Sequence, residues 1–228
     1  MTITYHPNLI QGSDEWHMQR LGLLTASEMK LIITPKTLKV ASDDKAKIHL
    51  YEILAQRLNS FVEPQYISDS MLRGQSDEPL ARENYANKYG GVTEVGFVTN
   101  DNHGFVIGYS PDWLVDKEGQ AECKSRAQKH HTATIVTKEV PPEFMIQVQT
   151  GLIVTERKWC DYVSYCGGMH QIHIRVYPDE VMQKAIIDAA GDFHDRLEKA
   201  HAAFMENVVE LGGIPTERLV EADGEIVL

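Results

Sequence analysis

Cysteine is scarce in this chain: Cys123, Cys160 and Cys166 are the only three among 228 residues. So few thiols cannot staple a fold of this length, and the expected setting is a reducing, cytoplasmic one. Nor do they form, with His170 and His173, the close ligand pairs of a structural zinc site. Long apolar runs are also missing. No stretch approaches the ~18 residues of a membrane span, and no basic start leads into an apolar block, so no membrane partner is expected. A surplus of positive charge is missing too, because 22 Lys and Arg face 33 Asp and Glu, a formal net charge of −11. Retention on a polyanion by bulk charge alone is thereby excluded. The deficit is uneven, however. Residues 177–228 carry twelve acids and four bases, which leaves the first 176 residues at −3. Lys124, Arg126, Lys129, His130 and His131 even make a local basic run, whose two histidines read as a solvated loop able to touch a phosphate.

What is present suits a globular protein with one core, at 43% hydrophobic and 24% charged residues. No repeat or linker divides the chain, so 1–228 is expected to be a single domain. Its N-terminal helices fill 1–91, a core sheet 92–177, and a C-terminal helix and tail 178–228. Thr25-Ala26-Ser27-Glu28 has the capping-box pattern and predicts a short helix through about Ile33. A helix over 43–62 shows an apolar stripe of Ile48, Tyr51, Leu54 or Ala55, and Leu58. Another over 68–89 is interrupted or restarted near Pro79 and stops at Gly90-Gly91. The period then falls to two: 92–99 and 105–109 predict a hairpin, and 113–115 and 120–125 two further strands. Pro141-Pro142 opens a helix with interior 144–154, strands follow at 159–166 and 171–177, and 179–211 predicts a long amphipathic helix, bent at Gly191. The tail after Gly212 is weakly specified. Helices, meander, helix, strands and helix together predict an α/β fold, a central mixed β-sheet flanked by helices.

The chemistry concentrates in Ser110-Pro111-Asp112 and Glu122-Cys123-Lys124. Residues two apart on a strand share a face, so Glu122 and Lys124 project together while Cys123 faces away. The turn at 116–119 returns Asp112 to the same edge. Two carboxylates can hold Mg²⁺, which prefers oxygen ligands and keeps several waters. The neighbouring ammonium can orient and help deprotonate such a water. Read this way, the pattern is one for cutting phosphodiesters; read blandly, it is a charged surface hairpin.

Three further groups fit the same chemistry. Glu78 is either an exposed helix acid or a third carboxylate, useful because two closely spaced dications need several acids to neutralise them. Gln147 is either part of a polar helix face or a donor to a bound water or phosphate, with Gln149 pointing elsewhere. Trp16, Arg20, Thr25 and Ser27 suggest a phosphate seat, combining a helix N-terminus, a hydroxyl donor and a guanidinium fork.

In this order the pieces resemble the phage lambda exonuclease family, within the PD-(D/E)xK nuclease superfamily. The resemblance runs from Trp16-His17-x-x-Arg20-Leu21-Gly22 through Gly74-x-x-x-Glu78 and the two motif halves to Gln147-Val148-Gln149 and the aromatic strand near Trp159. It implies a restriction-endonuclease-like core and two Mg²⁺ ions per site, with Mn²⁺ able to substitute. Asp112 and Glu122 would be ligands, the Cys123 carbonyl would complete one site, and Glu78 would meet the second ion or its waters. Lys124 would position and activate the attacking water, and Gln147 would help orient it. Arg20 and Ser27, with Thr25 and Trp16 nearby, would hold the 5′-phosphate, and Met71 or Leu72 would wedge the terminal base pair apart. The implied activity is 5′→3′ digestion of one strand of duplex DNA from a 5′-phosphorylated end. Mononucleotides are released, and the 3′ overhang passes to a single-strand annealing protein. A homotrimer ring is also implied, and it would retain DNA topologically despite the acidic charge. Two readings stand beside this one: an endonuclease or repair nuclease with the same core, and a non-catalytic DNA-end-binding module.

Overall fold

The protein is described by a computed structural model covering residues 2–63 and 66–218. Its mixed α/β architecture agrees with expectation, but the strands sort into two sheets. The first contains β1 (Ile3–His6), β2 (Leu24–Thr25), β4 (Phe97–Asn100) and β5 (Ile107–Tyr109), in the order β1-β4-β5-β2. The second has the order β3-β6-β7-β8-β9, with β3 (Val92–Thr93), β6 (Trp113–Val115), β7 (Gly119–Ser125), β8 (Trp159–Tyr165) and β9 (Ile172–Val176). Hairpin β4–β5 is antiparallel, as its flanking alternation predicts, whereas the expected strand 92–99 is split between the sheets. Strands β7 and β8 run parallel, with Glu122 level with Tyr162. That pairing needs a crossover, supplied by α4 (Gln128–Thr137) and α5 (Pro142–Thr155).

Alternation on β7 decides which residues meet which helix. Ala121 and Cys123 pack with Trp113 and Val163 beneath α3 (Asp69–Tyr89), through Ala81 and Tyr85. The opposite face meets α5: Gln120 accepts from Thr155 Oγ1 at 2.6 Å, and Glu122 meets Gln147. The largest core lies between the first sheet, α5, α2 (Asp44–Asn59) and α6 (Glu180–Glu210), around Ile53, Val98, Ile107, Ile146 and Phe193. No helix among the described residues is long and apolar enough to cross a membrane.

Several local expectations are corrected. Helix α2 turns Ala46, His49, Leu50, Ile53 and Leu54 inward, leaving Ile48 and Tyr51 exposed. A histidine belongs to that inner stripe, its ring stacked on Phe193 at 5.8 Å, so counting only apolar residues rotates the face by one position. Helix α3 runs unbroken through Pro79 from its Ser68 cap. The Thr25–Glu28 pattern forms only half of a capping box: the Thr25 amide reaches Glu28 Oε2 at 3.2 Å, but the Glu28 amide bonds the Thr25 carbonyl at 3.0 Å while the Thr25 hydroxyl donates to Glu28 Oε2 at 2.6 Å. Only a three-residue 3₁₀ turn, Met29–Leu31, follows it. His131 is wholly buried in α4 instead of solvated, because both ring nitrogens find partners: Ser164 Oγ at 2.7 Å and His170 O at 3.0 Å. Strand β1 and the helices α1 (Asp14–Arg20) and α4 were not expected from periodicity. The tail expected after Gly212 lies outside the described residues from position 219 onward.

A buried charge anchors α3 to the second sheet. Asp161, fully inaccessible on β8, accepts from Tyr85 Oη at 2.6 Å and from Arg175 Nε and Nη2 at 2.8 and 3.0 Å. Asp161→Ala should cost about 2–4 kcal/mol of folding stability in urea titrations, because it strips two donors of their acceptor. The half-exposed Arg175 can recover water, which places the effect below that of a fully enclosed pair.

Candidate active site

The chain passes from one sheet to the other through three residues, Ser110-Pro111-Asp112, between β5 and β6. The first sheet's side reaches Ser110: Trp16 Nε1 and Arg20 Nη1 donate to its Oγ at 3.0 and 3.2 Å. The second sheet holds Asp112, whose Oδ2 accepts the Cys123 amide at the centre of β7. A cleft of about 170 Å³ opens at this junction, lined by Trp16, Arg20 and Ser27 at one end and Asp112, Glu122, Lys124 and Gln147 at the other.

Glu122 is 1% exposed and fully engaged. Its Oε1 accepts from Lys124 Nζ and Gln147 Nε2, each at 2.6 Å, and its Oε2 accepts from Tyr109 Oη at 2.9 Å. Gln149 turns away, donating to Tyr177 O at 2.8 Å. Burial by itself would depress the Lys124 ammonium, but the Glu122 and Asp112 carboxylates outweigh it and hold the group above the usual lysine range. Lys124 is therefore a cation and a donor in this arrangement, not a proton acceptor. Asp112 lies well above the ordinary carboxylate range through burial and then repulsion from Glu122 and Glu78. Glu78 is likewise raised by burial, an effect that Arg82, 3.6 Å away, opposes. Glu78 does not line the cleft; it approaches from α3, near enough for its charge to act on Asp112 and Lys124.

At the other end Arg20 lies over the Trp16 ring at 4.1 Å, and its Nη2 donates to Thr25 Oγ1 at 3.3 Å. Thr25 Oγ1 is also 3.3 Å from Ser27 Oγ. The helix N-terminus expected here as a phosphate seat is absent, since only the 3₁₀ turn follows, and what faces the cleft is a group of side chains at a strand end. Met71, 49% exposed in the first turn of α3, stands outside the cleft.

Among the described residues no three His, Cys, Asp or Glu side chains gather closely enough to form a complete metal cage. The donors nevertheless suit Mg²⁺, which is held by one or two carboxylates plus waters. Glu122 and Glu78 lie near enough to raise the proton affinity of Asp112, and Glu122 that of Glu78, as acids do where a cation is needed.

Sequence reasoning missed Tyr109. It is hidden in a three-residue strand, and its role depends on Gly151, where a Cβ would stand 2.7 Å from the Tyr109 Cζ. Burial and the Glu122 charge push the phenol well above its usual pKa, so it stays a donor. Tyr109→Phe should lower kcat roughly tenfold by freeing one oxygen of Glu122, while the melting temperature changes little. Single-turnover rates against metal concentration test this, and an unchanged rate and metal requirement would count against it.

Comparison with known proteins identifies the family and the fold. Residues 15–158 match the YqaJ-like viral recombinase domain. The chain belongs to that family. Within it, the chain is a nuclease of the alkaline exonuclease type. Its fold superposes on the crystal structure of an alkaline exonuclease, LHK-Exo from Laribacter hongkongensis, at 30% identity and a TM-score of 0.77. That match covers 87% of this chain and 100% of the other. The same exonuclease in complex with dAMP superposes at 30% identity, with the same coverage and a TM-score of 0.76. A phage-related exonuclease from Haemophilus somnus 129PT, at 16% identity, shares the fold over 78% of this chain and 96% of its own, with a TM-score of 0.56. A comparison with curated protein sequences finds no match.

Proposed function

We propose that this family member is a Mg²⁺-dependent exonuclease that digests one strand of linear duplex DNA from a 5′-phosphorylated end, in the 5′→3′ direction. It releases mononucleotides and leaves a 3′ single-stranded overhang. One observation carries the reading: the Arg20–Ser27 seat and the Asp112–Glu122–Lys124 cluster open into a single cleft. Anchoring the terminal phosphate at the first end sets the neighbouring linkage beside the second. The dAMP complex of the Laribacter hongkongensis relative is in keeping with a mononucleotide product.

In this reading Asp112, Glu122 and the Cys123 carbonyl would hold the catalytic cation, Glu78 would serve a second, and Mn²⁺ could replace Mg²⁺. Bound dications supply Lewis-acid polarisation of the phosphate and charge stabilisation at the departing oxygen. The chain's own groups do the rest. Lys124 positions the attacking water, while Gln147 and Tyr109 keep Glu122 from rotating. Water attacks phosphorus in line and gives up a proton to solvent, the P–O3′ bond breaks and O3′ takes a proton from solvent, and the next nucleotide inherits a 5′-phosphate, ready for Arg20. Thr25, Ser27 and Trp16 complete the seat, and Met71 is the apolar wedge at the duplex end.

Three copies closed into a ring would keep DNA threaded despite the net charge of −11, and a single-strand annealing protein would take over the overhang. A time course with Mg²⁺ on 5′-phosphorylated linear duplex beside covalently closed circles tests the activity. Loss of the linear form alone is expected, and cutting of circles would favour the endonuclease alternative. Light scattering at three chain masses is the expected result for the ring.

A further inference from the structure

Beyond Lys124 the same face of β7 leads to a second cationic group that the cleft does not include. Arg126 follows Lys124 by two residues, ~7 Å further along the extended chain. Its guanidinium lies 4.8 Å from the centroid of Phe144, in the first turn of α5, and Lys124 Nζ lies 5.6 Å from the same ring. Tyr162 stacks on Phe144 with centroids 5.7 Å apart and an interplanar angle of 27°. Each of the two leaves one donor unmatched. Among the described residues neither the buried Arg126 Nε nor the fully buried Tyr162 Oη finds a hydrogen-bond acceptor.

Buried donors without acceptors are costly, and Arg126, whose side chain still reaches solvent, can turn its free donor to an arriving acceptor. Pro141, the N-cap of α5, supplies no side-chain cap either, so the positive end of a fourteen-residue helix faces the same corner. Burial raises the Tyr162 phenol to about 12 even though Arg126 and Lys124 pull it down, so it remains a donor. Among the described residues the carboxylate paired with Arg126 is Glu143, whose Oε1 lies 3.3 Å from Arg126 Nη1. That carboxylate is 58% exposed while the arginine is 12% exposed. A surface carboxylate of this kind is held weakly and can be exchanged for a phosphate oxygen at little cost.

We propose that Arg126, resting on Phe144, and the uncapped first turn of α5 form a subsite for the phosphodiester that follows the scissile one on the digested strand. The inference rests on the nuclease reading above and adds a register to it. Arg20 takes the terminal phosphate, Lys124 stands at the scissile phosphate, and Arg126 takes the next. Three phosphates in line fix the strand's direction as well as its end.

The test is a double-mutant cycle between protein and substrate. A 5′-phosphorylated duplex carries a neutral methylphosphonate at the second internucleotide linkage of the digested strand, or at the facing linkage of the complementary strand. Single-turnover kcat/KM is measured for wild type, Arg126→Ala and Tyr162→Phe. Wild type should lose roughly 10–50-fold on the digested-strand modification. Arg126→Ala should lose a similar factor on unmodified DNA and less than threefold more on the modified one, whereas Tyr162→Phe, which removes no group that DNA can reach, should keep the wild-type rate and the wild-type sensitivity. The salt slope of log KM should also flatten by about 0.7–0.9 in Arg126→Ala, the value of one phosphate contact. Multiplying effects, an insensitive wild type, or sensitivity confined to the complementary strand would overturn the subsite. A variant merely damaged in folding would keep the wild-type sensitivity to methylphosphonate, which separates the two causes. Absence of any cleavage by wild type would instead reject the nuclease reading itself.

Discussion

Lys124→Ala should cut DNA at least ~10²–10⁴-fold more slowly than wild type while keeping its fold. The ammonium is held charged by Glu122 and Asp112, so its removal takes away the cation that positions the nucleophile. Glu122 keeps two other donors, Tyr109 and Gln147, so the site does not collapse. Asp112→Asn and Glu122→Gln should be as inactive, for a different reason, since each removes a negative oxygen donor from the cation site. The Asp112 variant carries a second signature. Its carboxylate is buried and repelled by Glu122 and Glu78, so neutralising it relieves strain in the metal-free protein. In a chelator its melting temperature should equal or exceed that of wild type, and added Mg²⁺ should raise it less. A gel assay run beside thermal melts with and without Mg²⁺ reads both effects. Full activity in any of the three variants would remove the assignment of this cleft as the active site.

Arg20→Ala should slow digestion of 5′-phosphorylated ends by roughly 30–100-fold while changing hydroxyl ends less than threefold, the loss of a charge-assisted pair. The side chain lies against Trp16 and Phe97 and spans from Ser110 to Thr25, which aims its fork into the cleft. Truncation also removes packing, so Arg20→Lys is the informative companion. It keeps the charge, loses the planar fork, and should fall between the two on phosphorylated ends. Equal losses on both kinds of end would mean that Arg20 supports the fold and does not read the phosphate.

The motif strands were legible because their signal is local. Alternation on β7 alone predicts that Glu122 and Lys124 share a face, and the turn before Gly119 returns the chain beside Asp112. Helix α5 was legible from Pro142 and its apolar interior. Where the signal was mixed, the reading failed. The inner stripe of α2 contains His49, and α4 opens with Gln128, Lys129 and two histidines, so polar residues that the fold buries looked like surface. Strand β1 has only four residues with two exposed at its centre, too short for a period to register.

Residue types and their order along the chain therefore determined the family resemblance, the motif and most of the elements, since each depends on neighbours a few positions away. Only the tertiary structure decided that Ser110-Pro111-Asp112 is a crossing between two sheets, that Tyr109 reaches Glu122 past a bare Gly151, and that Arg126 and Tyr162 meet across Phe144. Those relations join residues from separate strands and helices. They arise from packing, where burial and the need to satisfy each polar group select one arrangement, and no local pattern encodes them.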